Sequence, residues 1–329
     1  MQRIVVVGAG AAVQAHAERY ERFDDAAVYG VVGGAAESGD GGSDFESVDA
    51  PSYDSLSGAL RDDDVDGVDI CGPGSTFGDA LETALNVGIP TRCDPPFALD
   101  DATYDRVVSL AAESNGWILS HSPHRFSRLY DRLHSAIESG GIGSIGVARI
   151  ERTAPFCGPG WNVSYDGVSA IESHVDALCA VLAHDVDVLE WTFGPIERVF
   201  VRMRTSARCD HAHAVFAFRE GGRATVETRW HRNEPPDPRV NVEYSGNHGR
   251  LDFDESDAST ALREDGASLA VDPPEDDCRG RALRSFLDHL RDADLPPSDV
   301  APTTPSRVVA AVRRSADEDI PVTLAEGSP

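Results

Sequence analysis

Apolar and polar positions divide the chain into two parts with different periods. Ile4-Val5-Val6-Val7 is an unbroken β-branched run, the pattern of a strand buried on both faces. It breaks at Gly8-Ala9-Gly10, and Val13 to Phe23 then follows a helical period. Ala27 to Val32, Asp66 to Cys71, Ile89 to Cys93 and Trp117 to His121 repeat the strand pattern. Helical stretches lie between them at Tyr53 to Asp62, Phe77 to Val87 and about Asp100 to Asn115. This alternation predicts an α/β domain over residues 1–122, a doubly wound parallel sheet covered on both faces.

From residue 123 the pattern changes. A helix is predicted over Ser127 to Glu138, a strand over Ile145 to Thr153 and a long helix from about Ala170 to Phe193. Five strands follow: Glu197 to Arg204, His213 to Phe218, Ala224 to Trp230, Val240 to Ser245 and Arg250 to Phe253. Ala224, Val226, Thr228 and Trp230 share one face, Thr225, Glu227 and Arg229 the other, which is the alternation of an antiparallel sheet packed on one side. Helices over Arg279 to Ala293 and Thr304 to Asp317 finish the chain, the last expected back near the first domain. Residues 123–329 thus read as an α+β domain with an open, largely antiparallel sheet.

The first turn carries chemistry. Strand, Gly-x-Gly and helix in that order form the context of a dinucleotide-binding Rossmann turn. Gly8 permits the turn, Gly10 lets the main chain approach a diphosphate, and the helix start at Ala11 and Ala12 offers free N–H groups. Val13 stands where such turns carry a third glycine, and Gly33 stands where an acid would hold the ribose. The loop from Glu37 to Ala50 holds no Arg for the 2′-phosphate of NADP, which leans the reading to NAD. Glu37 and Asp40 are the ribose candidates there; a solvated loop is the alternative.

Charge adds the setting. The chain has 56 acidic and 29 basic residues, a net charge of −27, and every base is Arg. Such a surface fits concentrated salt, and it argues against nucleic acid or anionic membrane as partners. No apolar run approaches a membrane span and no signal peptide is evident, so the expected location is a salt-rich cytoplasm. Cys71, Cys93, Cys157, Cys179, Cys209 and Cys278 form no C-x-x-C and read as reduced, small apolar residues.

The order of motifs resembles the glucose–fructose oxidoreductase / inositol dehydrogenase / MocA family over nearly the whole chain. The landmarks are Gly8-x-Gly10 with His16, Val65-Asp66-Gly67-Val68, Pro73-Gly74-Ser75-Thr76 and Asp94-Pro95-Pro96. His124-Arg125-Phe126, Gly140-Gly141-Ile142-Gly143, the segment from His184 to Gly194 and the tail from Arg307 to Leu324 follow. The resemblance implies a Rossmann domain and NAD(P)-dependent hydride transfer on a sugar, polyol or related hydroxy compound. It places Gly72, Pro73, Phe77 and Pro96 near the cofactor, with a cis bond before Pro96. It also implies departures. The family's catalytic lysine falls on Pro95, its active-site Asp on Ala180, and its frequent His or Asn after Pro-x-Ser-Thr on Phe77.

Of the residues that remain, His184 is the first proton-handling candidate, since imidazole titrates near ~6.5. Asp187, one turn on, is placed to orient it; a helix histidine capped by a local carboxylate is the alternative. Asp94, at a strand's C-terminal end, is the second candidate, against a plain turn carboxylate. Arg125, Trp161 and Tyr165, with His184, are the substrate-binding candidates; a surface ion pair and a loop core are their alternatives. His211-x-His213 lacks a third ligand, so no metal is expected. The functional expectation is an oxidoreductase acting on a small molecule, with a homo-oligomer through the second sheet. The alternative is a catalytically degenerate relative, with or without cofactor, that binds a cofactor or sugar or serves as a structural subunit.

Overall fold

The computed structural model describes residues 1–8, 10–33, 48–61, 64–71, 77–155, 174–206, 209–231, 239–254, 261–264, 267–270, 277–292 and 304–324. Gly72, Pro73, Trp161, Tyr165, Glu37 and Asp40 lie outside them. The chain forms two compact units. Among the described residues the first holds Met1–His121 and Gly280–Arg307, and the second holds Ser122–Tyr165, Ser173–Arg279 and Val308–Pro329.

The first unit runs β1 (Gln2–Gly8), α1 (Gly10–Tyr20), β2 (Ala26–Gly33), β3 (Ser52–Tyr53), α2 (Leu56–Ala59), β4 (Gly67–Cys71), α3 (Phe77–Val87), β5 (Thr91–Cys93), α4 (Asp101–Glu113) and β6 (Ile118–Leu119). Its six strands are parallel in the order β3-β2-β1-β4-β5-β6. Successive side chains of β1 enter opposite cores. Val5 and Val7 pack with Leu56, Leu81, Leu85 and Val107 of α2, α3 and α4. Ile4 and Val6 pack with Val13, Ala17 and Tyr20 of α1. A strand covered on both faces must be apolar at every position, which is why β1 reads as one unbroken run.

Tyr53 opens no helix, contrary to the sequence reading. It pairs with Val32 as the edge strand β3, and only Leu56–Ala59 is helical, capped by Ser55. Gly8 is required for a different reason than its turn: a Cβ there would lie 2.1 Å from the Cys71 carbonyl oxygen of the neighbouring strand. Gly8→Ala is therefore expected to lower the unfolding free energy by about 3 kcal/mol, read as an earlier urea midpoint.

The second unit continues with a 3-10 turn at Pro123–Phe126, α5 (Arg128–Glu138), β7 (Ile145–Pro155), α6 (His174–Phe193), β8 (Ile196–Arg204), β9 (Cys209–Phe218), β10 (Arg223–His231), β11 (Arg239–Gly246), β12 (Arg250–Asp254), β13 (Ala261–Glu264) and β14 (Ala267–Ala270). Then α7 (Cys278–Arg291) crosses to the first unit, and α8 (Thr304–Glu318) and β15 (Val322–Thr323) close the chain. Leu283, Phe286 and Leu287 of α7 complete the core on the α1 side of the first sheet. Most of α8 belongs to the second unit, where its Ser315 hydroxyl accepts from the Val201 N–H of β8.

Among the described residues nine strands form one sheet in the order β14-β13-β12-β11-β7-β10-β9-β8-β15. All its pairs are antiparallel except β7 with β10, which run parallel. Ala224, Val226, Thr228 and Trp230 are buried, as the alternation requires. The fold is therefore a parallel Rossmann sheet followed by an α+β unit with an open, mostly antiparallel sheet. Among the described residues no helix is long and apolar enough to cross a membrane.

Candidate active site

The functional side chains form two groups, one in each unit. In the first unit the strand order turns at β1 and β4, and their C-terminal ends are where a doubly wound sheet holds ligands. There β1 ends at Gly8 and α1 starts at Gly10. The first turn of α1 contains no acidic residue of its own to oppose an anion at the helix start. Ala12 is buried and Val13 packs into the core below the turn. The residues present fit the diphosphate of a dinucleotide. Phe77 opens α3, Gly33 ends β2, and the Pro95–Pro96 bond is cis, as the family resemblance implied.

Beneath this turn lies an ionic group within the core. Asp69 of β4 and Arg92 of β5 sit side by side on paired strands, both fully buried. Asp69 Oδ1 accepts from Arg92 Nη1 at 2.7 Å, and its Oδ2 meets His16 Nδ1 at 2.7 Å and the Tyr20 hydroxyl at 3.1 Å. Arg92 Nη2 donates to Asp94, so the same guanidinium holds both carboxylates. Burial by itself would raise the Asp69 carboxyl, but Arg92 and His16 outweigh it and hold it below the usual carboxylate range. Burial pushes the Cys93 thiol up to about 12, so it is no nucleophile at neutral pH. Asp94 thus stands where the sequence placed it, with Arg92 as a partner that the sequence reading did not foresee.

In the second unit His184 and Asp187 lie one turn apart on α6, both buried. Asp187 takes a two-point bond from Arg125, Nε to Oδ2 and Nη2 to Oδ1, each 2.7 Å. Its Oδ2 also accepts the Ser122 N–H at 3.0 Å. His184 Nδ1 lies 3.1 Å from Ser122 Oγ. Asp187 therefore fastens the turn that carries Ser122, and Ser122 meets the imidazole. That differs from the sequence reading, in which Asp187 orients His184 directly. Arg125, read as a substrate ligand, has its fork on Asp187, and its guanidinium lies 5.8 Å from the Trp191 ring centroid.

Behind this array, the His124 ring stacks on Tyr130 at 5.0 Å and meets His184 edge-on at 5.8 Å. Burial, and then the charge of Arg152, push His124 well below its usual value and keep it neutral. Arg152 of β7 pairs with Asp185 of α6 and reaches the Tyr130 hydroxyl, tying sheet to helices inside the core. His211 Nε2 meets Glu227 at 3.0 Å on the half-exposed sheet face. Among the described residues no three His, Cys, Asp or Glu side chains group for a metal.

Comparison with known proteins gives the class. Residues 2–121 match the family described as an oxidoreductase family with an NAD-binding Rossmann fold, GFO/IDH/MocA. Residues 130–252 match the GFO/IDH/MocA C-terminal domain. Through both of its units the chain belongs to the GFO/IDH/MocA family of oxidoreductases. Among characterised relatives, it is 24% identical over 302 residues to myo-inositol 2-dehydrogenase of Thermotoga maritima, covering 89% of this chain and 85% of that one. A myo-inositol dehydrogenase structure from Corynebacterium glutamicum shares the fold with a TM-score of 0.73 at 19% identity, over 99% of this chain and 100% of that one. Biliverdin reductase from Synechocystis, solved with biliverdin and NADP+, does so with a TM-score of 0.73 at 18% identity, over 96% and 99%.

Proposed function

We propose that the chain is an NAD(P)-dependent oxidoreductase acting on a sugar, polyol or related hydroxy or oxo compound. The observation that carries this reading is the start of α1 at Gly10, two residues past the end of β1, with no acid in its first turn. Gly8, Gly10, Ala11 and Ala12 would hold the diphosphate through main-chain N–H groups. Gly72, Pro73, Phe77 and Pro96 are assigned to the rest of the dinucleotide, and Gly33 to the ribose end. When bound, the dinucleotide supplies the hydride donor or acceptor.

The chain's own part is proton handling and orientation. His184 is assigned to the substrate oxygen; buried on α6, it is held through Ser122, Asp187 and Arg125. Asp94, held by Arg92 at the end of β5, is the second polar group, in place of the lysine that falls on Pro95. Trp161 and Tyr165 are assigned to the substrate. NAD is preferred to NADP, because no Arg follows β2 before Arg61 to meet a 2′-phosphate.

Kinetic assays with NAD and NADP on inositols, sugars and hydroxy acids, in concentrated salt, test the reading. Turnover with at least one supports it. Cofactor binding without turnover on any of them replaces it with a cofactor-binding relative that has lost its chemistry.

The charge of −27 without lysine supports a working environment of concentrated salt. The melting temperature is expected to rise with salt as carboxylate repulsion is screened, and a salt-independent value in a thermal scan would count against it. The half-exposed face of the nine-stranded sheet is assigned to a homo-oligomer, which light scattering in the same salt would detect.

A further inference from the structure

We propose that Ser122 fixes His184 as its Nε2–H tautomer, so that the imidazole meets the substrate oxygen as a hydrogen-bond donor. The role at the substrate rests on the assignment of His184 made above; the tautomer does not. Ser122 is fully buried. Its hydroxyl oxygen has two neighbours among the described residues: the His124 main-chain N–H at 3.2 Å and His184 Nδ1 at 3.1 Å. The N–H can only donate, so it uses a lone pair of Oγ. Among the described residues the hydroxyl proton then has one acceptor within reach, the lone pair of Nδ1. If Nδ1 carried the ring proton instead, the buried hydroxyl proton would be left unpaired, which is unfavourable. A neutral imidazole carries one ring proton, and it therefore lies on Nε2.

The surroundings hold this arrangement in place. Ser122 is fixed through its own N–H on Asp187, at 3.0 Å, and through the 3-10 turn that starts at Pro123. The charge of Asp187 is matched by the two-point bond from Arg125. His124, edge-on to His184, is neutral and adds no negative charge.

The sequence reading cast His184 as a base for a hydroxyl proton. The tautomer makes it a donor toward an oxygen lone pair. A neutral imidazole N–H polarises a carbonyl, as it does in other enzymes that keep histidine uncharged. The compound this side chain favours is therefore the oxo form, a ketone or aldehyde of the polyol type.

Two-bond proton–nitrogen correlation of the full chain labelled with 15N-histidine tests the tautomer without cofactor or turnover. His184 is identified by the signals lost in His184→Gln. The expected spectrum shows its Nδ1 as the bare nitrogen and Nε2 as the protonated one. Ser122→Thr keeps that pattern, and Ser122→Ala moves it toward a mixture of tautomers. A wild-type spectrum with the proton on Nδ1, or an unaltered pattern in Ser122→Ala, overturns the proposal. If Ser122→Ala fails to fold, the wild-type spectrum decides alone. A chain that neither binds NADH nor turns over would remove the functional assignment and leave the tautomer standing.

Discussion

Replacing Arg92 with Met is expected to destabilise the first unit by about 3–5 kcal/mol, the loss that follows when one partner of a buried ion pair is removed. The guanidinium is fully buried and bridges Asp69 to Asp94, so its removal takes from both carboxylates the cation they share. The pH dependence should weaken as well. In the wild type, Asp69 lies below its ordinary value. Its contribution is fully present above the unfolded carboxylate value and is lost as pH falls through the lower folded one. Without Arg92 the strongest charge holding Asp69 down is gone, and His16 is left to oppose burial and Asp94. Asp69 then lies higher than in the wild type, and its stabilising contribution above the acid range is smaller. Urea midpoints below and above the ordinary carboxylate range would show a smaller gain with rising pH in the variant than in the wild type. The double variant Asp69→Asn with Arg92→Met should regain part of the loss, since no buried charge at position 69 then remains. A single variant as stable as wild type would mean that water, and not Arg92, compensates the two carboxylates.

His184→Ala is expected to lower kcat by roughly 10²- to 10⁴-fold, the usual contribution of a positioned proton-handling side chain. NADH affinity should stay within a few-fold, because the residues assigned to the dinucleotide lie in the first unit while His184 lies in the second. The same change leaves the Ser122 hydroxyl without its acceptor, so a loss of about 1–3 kcal/mol in stability should accompany it. His184→Gln, which can still accept from Ser122, should be inactive with less loss of stability. The two variants thus separate chemistry from packing. Turnover equal to wild type in either would remove His184 from the reaction.

Much of the fold was legible because each pattern had one physical cause. A strand between two helical layers must be apolar throughout, and β1 is. A strand with one covered face must alternate, and β10 does. Pairing direction was not legible. The alternation of β10 suits antiparallel neighbours, yet it lies parallel to β7, far away in sequence. Alternation reports which face is covered, not which way the adjacent strand runs. Short pairings were missed for a similar reason: β3 and β15 are two residues each and carry no period.

The candidate site was legible where residues stand at element ends and illegible where they meet across elements. Gly8, Gly10, Asp94 and His184 could be singled out by position alone. The pairing of Asp69 with Arg92 could not, although a signal existed: one charged residue sits in the middle of each of two neighbouring buried strands. Charges there must be paired, and only the register of β4 with β5 names the partner. Ser122 gave no signal, because a serine before proline reads as a turn residue. Its role depends on a helix 62 positions later. Arg125 and Asp187 were each noticed singly, and their mutual bond reassigned both.

The central claim is that the turn from Gly8 to Gly10 seats the diphosphate of a dinucleotide. NADH fluorescence titrated with wild-type chain and with Gly10→Leu, in concentrated salt, tests it most directly. The account predicts saturable binding to the wild type and its loss in the variant, whose side chain fills the space the diphosphate needs. Equal affinity in the two chains, or no binding to either, would contradict it.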